Sequence, residues 1–574
     1  MTAIADLPPG WIMMVGGIFL PLVYKRFQAW AVLGLSVASA VLFLATPAGN
    51  YGQFNLLGCE LTLVRIDSLS RPFGLVFHLA AIVSAIYALH VRDTRQHIAG
   101  VMYAGAAIGA ACAGDLMTLF VFWELTAVTS VFLIWATDGE SAYRAGMRYV
   151  VIQVGSGVLL LSGAIMHQVG TGTLMFTSFV GDDGMSSLAE LSWPGRLILL
   201  AFGIKCAFPL LHNWLQDAYP KATVTGTVFL SAFTTKLAIY ALARGFAGLE
   251  PLIVIGCVMT LFPIVFAVIE NDLRRVLAYS LNNQLGFMVV GIGIGTSLAI
   301  NGTVAHAFCH IIYKSLLFMS VGAVLYRVGT AKATELGGLH KSMPWTTTCC
   351  LIGAGAISGF PLLSGFVSKS MIISAAGEAH LLWVWIVLLI ASAGVMEHSG
   401  IKIPFFAFFA HDSGKRPAEA PWNMLVAMGI AATGCIVLGI AYPLLYQLLP
   451  NPVDYHPFTV THVVTQLQLL IFAILAFVCL VKAGWYPEEK RAEVLDSDWI
   501  YRKWLPKIVD RISGLVISAN ASVRRVGIDL VGQVLSSMRF SFNETGLFGR
   551  TWSTNTMAFW ATFLLGTSLL VYYL

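Results

Sequence analysis

Apolar residues run in blocks of about twenty along almost the whole chain, and polar residues gather in short stretches between them. A helix of about twenty apolar residues is long enough to cross the hydrocarbon core of a bilayer. The pattern predicts sixteen spans, at 10–24, 28–46, 69–90, 98–114, 116–136, 144–168, 195–211, 224–246, 250–270, 276–298, 301–326, 345–371, 380–400, 422–449, 462–483 and 556–574. The blocks at 98–114 and 195–211 are short and are expected to continue into the next segment. A different pattern runs from Trp499 to Phe540. There Ile508, Ile512, Leu515, Ala519, Val523, Val526, Leu530 and Val534 recur at steps of three or four, with Arg511, Arg524, Arg525 and Asp529 off the stripe. That is an amphipathic helix, of the kind that lies along a membrane face or simply tethers a chain to it.

The polar stretches carry the orientation. Lys25, Arg26, Arg92, Arg95, Arg144, Arg148, Lys221, Arg274 and Arg275 fall in alternate loops. The opposite loops hold only Arg65, Arg71, Arg196 and Arg244, alongside Glu60, Asp67, Asp182, Asp183, Glu190, Glu250, Glu378 and Asp454. Cytoplasmic loops of membrane proteins are enriched in Lys and Arg. The expectation is a multi-pass protein of the cell inner (plasma) membrane, with basic loops in the cytoplasm and both termini outside.

Composition agrees and narrows the chemistry. The 574 residues are 57% hydrophobic and 11% charged, against about 25% charged in soluble domains. The net charge of +5 is spread over short loops, so no nucleic-acid partner is expected. Nine cysteines form no CxxC pair, which argues against an iron–sulfur cluster, a zinc site or a disulfide framework. No GxGxxG precedes a strand, so no cofactor and no metal are expected. The start, MTAIADLPPG, lacks a basic n-region, and no signal peptide is expected.

Ionisable residues inside the apolar blocks change the picture. A charge at the bilayer centre costs at least about 2.5–3.5 kcal/mol, so those that persist mark ion pathways or buried pairs. Glu124 sits within LFVFWELTAVTSVFLIW, Lys205 within LILLAFGIKCAFPLL and Lys236 within VFLSAFTTKLAIYAL. His306, His310 and Lys314 follow at i, i+4 and i+8 on one helical face. Lys369 closes GFPLLSGFVSK. The bland alternatives are a structural ion pair for Glu124 and a snorkelling lysine for Lys369. Haem ligation by His306 and His310 would need histidines on a second helix, and His212, His398 and His411 form no such pair.

Two of these charges flank a repeated motif. FPLL occurs at Phe208 and again at Phe360, 152 residues later. Pro209 and Pro361 each remove a backbone donor in mid-helix and are expected to break it. Broken helices at membrane depth are tolerated where they line a polar cavity or are buried in protein. Desolvation disfavours a lysine's charge and a nearby carboxylate restores it, so a lysine whose partner moves can accept and release protons. Two breaks imply two repeats, 98–246 and 250–400, of five spans each and therefore inverted in the membrane. Around them lie N-terminal helices (1–97), additional helices (401–484), the amphipathic segment (485–555) on the cytoplasmic side, and a final helix (556–574).

LFVFWELTAVTSVFLI, FPLLHNWLQDAYPKA, DLRRVLAYSLNNQLGFM, HAFCHIIYKSLLF and FPLLSGFVSK resemble, in order and spacing, the signature segments of the proton-conducting antiporter family. That family comprises antiporter-like membrane subunits of respiratory complex I, membrane-bound hydrogenases and Mrp-type cation/proton antiporters. The resemblance covers about 65–480. It implies that Glu124 and Lys205 form a coupled pair, that Lys236 is a central relay, that His306, His310 and Lys314 relay the second half, and that Lys369 lies on the exit side. His212, Asp217 and Asp272, within the matching segments, are candidate accessory residues. HSGIKIPFFAFFAHDSGKRP followed by PWNM looks most like the D-type branch of Mrp antiporters. The chain departs from the family pattern at Trp214-Leu215-Gln216-Asp217-Ala218, where WLPDA is usual, and at Ala222-Thr223, where Pro-Thr is usual. Its final 90 residues resemble the longest complex I member.

The leading expectation is thus a proton-translocating subunit of a monovalent cation/proton antiporter, acting on protons and Na+ with other membrane subunits in a lipid bilayer. The alternatives are an energy-coupling subunit of a complex I- or hydrogenase-type enzyme, an ion-coupling subunit of an inorganic-carbon uptake complex, and a scaffold with vestigial charges.

Overall fold

The structure, a computed structural model, describes residues 6–56, 58–181, 187–487, 490, 494 and 496–574, without the Tyr501 side chain. Asp182 and Asp183 of the expected acidic loop lie outside the described residues. The chain divides into two units, Met1–Asp496 and Ser497–Leu574.

The protein is an all-α polytopic membrane protein. Among the described residues, each predicted span coincides with a helix or with two helices separated by an interruption. Among the described residues, eleven helical stretches are long and apolar enough to cross a membrane by length and composition alone. The other five spans fall short for identifiable reasons. Trp11–Leu22 is short. Thr94–Ala111 opens on the polar run Thr94, Arg95, Gln96 and His97, and it does not continue into the next segment, because Asp115 caps a separate helix, Leu116–Trp135. Leu273–Ile294 carries Arg274, Arg275, Asn282, Asn283 and Gln284. Trp193–Lys205 and Pro344–Ser358 end at breaks. The short block at 195–211 does continue, as Asn213–Ala218 beyond its break.

The centre of the first unit is the 32-residue helix Ser297–Val328, buried from Ala299 to Val324. Its ends are set locally. Thr296 accepts a hydrogen bond from the Ala299 amide, and Gly329 closes the helix in the left-handed region at φ 81°. Leu273–Ile294, Val224–Ala232, Pro344–Ser358, Ser364–Glu378 and Trp422–Ile440 pack around it. A helix enclosed in this way meets protein rather than lipid, so polar side chains along it can be kept.

One region departs from expectation. The stretch between the second and third spans is a β-hairpin, Gly49–Leu56 against Cys59–Ile66, turning at Gly58 with φ 82°. Thr62, Val64 and Ile66 alternate inward, a period-2 signal too short to stand out beside long helical blocks. Beyond it, Asp67 takes two hydrogen bonds from Arg244, at 2.9 and 2.8 Å. That pair anchors the end of helix Thr234–Gly245, which carries Lys236.

The second unit contains helix Leu505–Phe542, of 38 residues, and helix Thr554–Tyr573, of 20. Neither buries a residue. The first matches the amphipathic stripe expected from the sequence.

Candidate functional site: a buried line of ionisable side chains

The two FPLL segments fold alike. Helix Trp193–Lys205 is closed by Ala207 N–H to Ile204 O (3.1 Å) and Phe208 N–H to Gly203 O (3.0 Å). Helix Pro344–Ser358 is closed by Gly359 N–H to Ala356 O (3.1 Å) and Phe360 N–H to Gly355 O (3.0 Å). This is the Schellman pattern, with its left-handed residue at Ala207 (φ 61°) and Gly359 (φ 75°). Glycine adopts that conformation freely, whereas Ala207 costs about 1–2 kcal/mol. Proline and leucine then make a second turn. Leu210 (φ 70°) and Leu362 (φ 72°) are left-handed, and the amides of Leu211 and Leu363 return to Phe208 O (2.9 Å) and Phe360 O (3.1 Å). The chain resumes as Asn213–Ala218 and Ser364–Glu378.

At the first break, Lys205 is fully buried. Its ammonium donates to Trp123 O and to Thr126 Oγ1 (2.8 Å), and lies 4.4 Å above the Trp123 ring. Glu124 is next in sequence to Trp123, yet no direct ion pair joins it to Lys205. Its Oε1 is buried without a hydrogen-bond partner. A Cβ at Gly157 would overlap that oxygen, so the glycine leaves the carboxylate its room. The two charges interact through space.

Lys236 stands at a further interruption. The span predicted as one run over 224–246 is two helices, Val224–Ala232 and Thr234–Gly245, parted at Phe233. The Lys236 ammonium donates to Ser231 O across the gap. No proline or glycine marks the spot, so nothing in the residue pattern announces it. Lys236 is within electrostatic reach of Cys206, beside Lys205, and of His306, His310 and Lys314.

The second half is built on Ser297–Val328. His306 Nδ1 is 3.1 Å from Ser368 Oγ and its Nε2 is 3.2 Å from Gln284 Oε1, to which Tyr313 also donates (3.2 Å). The rings of His306 and His310 lie nearly parallel, 6.1 Å apart at 14°. Both ring nitrogens of His310 and the Lys314 ammonium are buried without hydrogen-bond partners, the ammonium lying 5.9 Å from the Phe318 ring. Lys369 donates to Ile357 O (3.0 Å) and lies 5.2 Å above the Phe287 ring. Lys369 also lines a cavity of about 230 Å³ with Gly359, Gly365, Ser370, Thr465 and Gln466.

The accessory residues separate. Asp217 pairs with Arg148 at 2.7 Å. Asp272 caps its helix through the Arg274 amide (2.9 Å). His212 meets Asp496 at 3.2 Å. Sequence reasoning missed Asp496, Gln284, Asn282, Gln216 and His398. His398 is fully buried, bonds Ser399 through Nδ1 (2.8 Å), and leaves Nε2 unpartnered. It is within electrostatic reach of Lys314, Lys402 and Lys369. The polar run Ser280, Asn282, Asn283, Gln284 inside a helix was a visible signal, whereas His398 resembled a span end. Among the described residues no group of three His, Cys, Asp or Glu side chains is arranged to hold a metal.

A buried polar atom without a partner costs about 1–3 kcal/mol. Such atoms are kept where bridging water or a transferring proton satisfies them. Here they recur at Glu124, Gln216, Asn282, His310, Lys314 and His398.

Comparison with known proteins bears on the same region. The family model described as "NADH:quinone oxidoreductase/Mrp antiporter, TM" matches residues 113–394. The D-type subunit of the Na(+)/H(+) antiporter of Alkalihalophilus pseudofirmus is 30% identical over 64% of this chain and 80% of its own length. The A-type subunit of the Na(+)/H(+) antiporter from the same organism is 29% identical over 76% of this chain, which spans 61% of that longer protein. A chain in the structure of the Mrp complex from Dietzia sp. superposes with a TM-score of 0.70 at 22% identity, over 78% of this chain and 96% of that one.

Proposed function

This chain belongs to the NADH:quinone oxidoreductase/Mrp antiporter transmembrane family, and on that premise we propose that it is the proton-translocating membrane subunit of a multisubunit monovalent cation/proton antiporter. Protons pass along Glu124, Lys205, Lys236, His306, His310, Lys314 and Lys369, with His398 completing the second half. The observation that carries this reading is the buried series itself, in which Glu124, His310 and Lys314 keep polar atoms without partners. Displacing the Glu124 carboxylate changes how firmly Lys205 holds its proton. Each later lysine or histidine responds to the charge before it, because desolvated charges interact strongly. The cavity at Lys369 supplies the outlet. The names of the relatives support sodium as the exchanged cation. The basic loops face the cytoplasm, both termini face outward, and 98–246 and 250–400 are inverted repeats.

The test is cation-driven collapse of ΔpH in everted vesicles holding the whole complex, with Na+ and K+ compared. Wild-type exchange that Lys205→Ala abolishes is the expected result; unchanged exchange in that variant overturns the reading. Cysteine-accessibility labelling checks the orientation: loops at Arg92, Arg148 and Arg275 label from the cytoplasm, and a reversed label at two of them overturns it. A second reading, a coupling subunit of a redox enzyme, is favoured by the 38-residue helix Leu505–Phe542, which buries no residue. Redox subunits copurifying with the chain would select it.

A further inference from the structure

Beyond helix Val460–Lys482 the chain brings a carboxylate to the first break. Asp496 Oδ2 lies 3.2 Å from His212 Nε2 and accepts a hydrogen bond from the Tyr279 hydroxyl at 2.8 Å. Its Oδ1 accepts from the Asn213 side-chain amide. The three partners come from the resumption of the broken helix and from Leu273–Ile294. The side chains of His212 and Asp496 are 3% and 2% exposed, and the Phe262 ring lies 4.5 Å from the imidazole. Asp496 and the nearby Val494 are themselves partly exposed, so the carboxylate sits just below solvent.

The imidazole has two distinct sides. Nε2 faces Asp496, whereas Nδ1 is buried without a hydrogen-bond partner. One turn further on, both amide atoms of Gln216 are also buried and unpartnered. Lys205 ends the helix on the other side of the break. A histidine bound at one nitrogen and free at the other is suited to passing a proton through its ring.

We propose that Asp496 and His212 form the proton-uptake dyad of the first half. Asp496 takes a proton from the basic-loop side. Its O–H bond then breaks as a bond forms at His212 Nε2, giving a transient imidazolium. The Nδ1–H bond breaks as that proton moves toward Gln216 and Lys205, and a ring reorientation or reverse tautomerisation restores the starting state. This rests on the proton-transport reading above. It adds a specific inlet, one of whose members lies far in sequence from the matched family region.

The test uses the whole complex in everted vesicles, where the cytoplasmic face is outermost. Asp496→Asn is nearly isosteric and removes the exchangeable proton. It is expected to slow exchange about ten-fold or more, in line with the loss of a positioned proton-transfer group, at unchanged complex abundance. Asp496→Glu is expected to keep most of the rate. Millimolar azide or formate, small weak acids that carry protons, is expected to speed Asp496→Asn but not His212→Gln. Unchanged exchange in Asp496→Asn overturns the dyad, as does equal loss in the Asn and Glu variants with no response to azide, which marks a structural tether. If Asp496→Asn does not assemble, His212→Gln carries the test, and an unchanged rate there overturns the proposal equally. Lys205→Ala, run in parallel, separates the two ideas. Its loss of exchange beside a normal Asp496→Asn rejects only the dyad, whereas normal exchange in Lys205→Ala rejects the transport reading beneath it.

Discussion

The two breaks share a backbone and differ in where their charge comes from. Leu210 and Leu362 adopt nearly the same left-handed conformation, and the flanking hydrogen bonds match one for one. Lys205 precedes its break and is held by another helix, through Trp123 O and Thr126. Lys369 follows its break and reaches back to Ile357 O, at the position equivalent to Lys205 in the motif. The motif fixes the geometry of the opening, and the two lysines approach it from opposite sides with different partners. The surroundings diverge as well. Asp496 closes over the resumption of the first helix, whereas Lys369 opens onto a cavity of about 230 Å³. A closed end with a proton-passing side chain and an open end with room for water suit an inlet and an outlet.

The largest effects expected are those that remove the charges. Lys205→Ala and Glu124→Ala should abolish ΔpH-driven exchange while the protein still inserts. Lys205→Arg should fail too, because arginine does not release its proton. Lys369→Ala should stop exchange from the other end. The comparison sharpens with a relocation: Ile357→Lys added to Lys369→Ala puts an ammonium where the first break has one, and should recover part of the rate. No recovery would mean that the lysine's approach direction matters as much as its end point.

A second expected effect concerns one side of the comparison alone. Gly157→Ala adds a methyl where Glu124 Oε1 now sits. The helix itself should gain about 0.5–1 kcal/mol, so thermal unfolding in detergent should change little. Exchange should fall about ten-fold, less than the ~10²–10⁴-fold that a positioned proton-transfer group contributes, because the carboxylate is displaced and not removed. Normal exchange in this variant would show that the carboxylate's position in the structure is not the working one.

Filling the open end should do less. Thr465 lines the cavity beside Lys369, and Thr465→Phe should slow exchange only a few-fold, since water and protons pass through residual gaps. A loss as deep as that of Lys369→Ala would make the cavity the principal route; no effect would place the outlet elsewhere.

What could be read in the sequence follows from what the bilayer enforces. Sixteen spans were visible because each must pair its own backbone groups in lipid, and the two breaks because proline cannot continue a helix. Lys205, Lys236 and Lys314 were conspicuous because a charge in an apolar block needs a reason. The interruption at Phe233 was hidden, as Thr234, Thr235 and Lys236 form a helix as readily as they end one. The hairpin was hidden by its short alternation. The relation of Glu124 to Lys205 was legible only as proximity: the structure shows Lys205 bonded to the carbonyl next door instead. Asp496 was beyond reach, because its partners are brought to it by the fold and not by spacing.

The smallest expected effect tests the shared half of the comparison. Leu210 and Leu362 hold a left-handed backbone that costs an L-residue about 1–2 kcal/mol, and they are largely exposed, at 72% and 54%. Replacing either by glycine removes that strain and little packing, while it loosens the unfolded chain by about 0.4–1 kcal/mol. The two terms partly cancel, leaving a net stabilisation of about 0–1.6 kcal/mol in each case. Because φ differs by so little between the two sites, Leu210→Gly and Leu362→Gly should shift thermal unfolding in the same direction by similar amounts, with exchange unchanged. Opposite shifts would mean that the matching backbone hides different loads, and that the two breaks are alike in shape only.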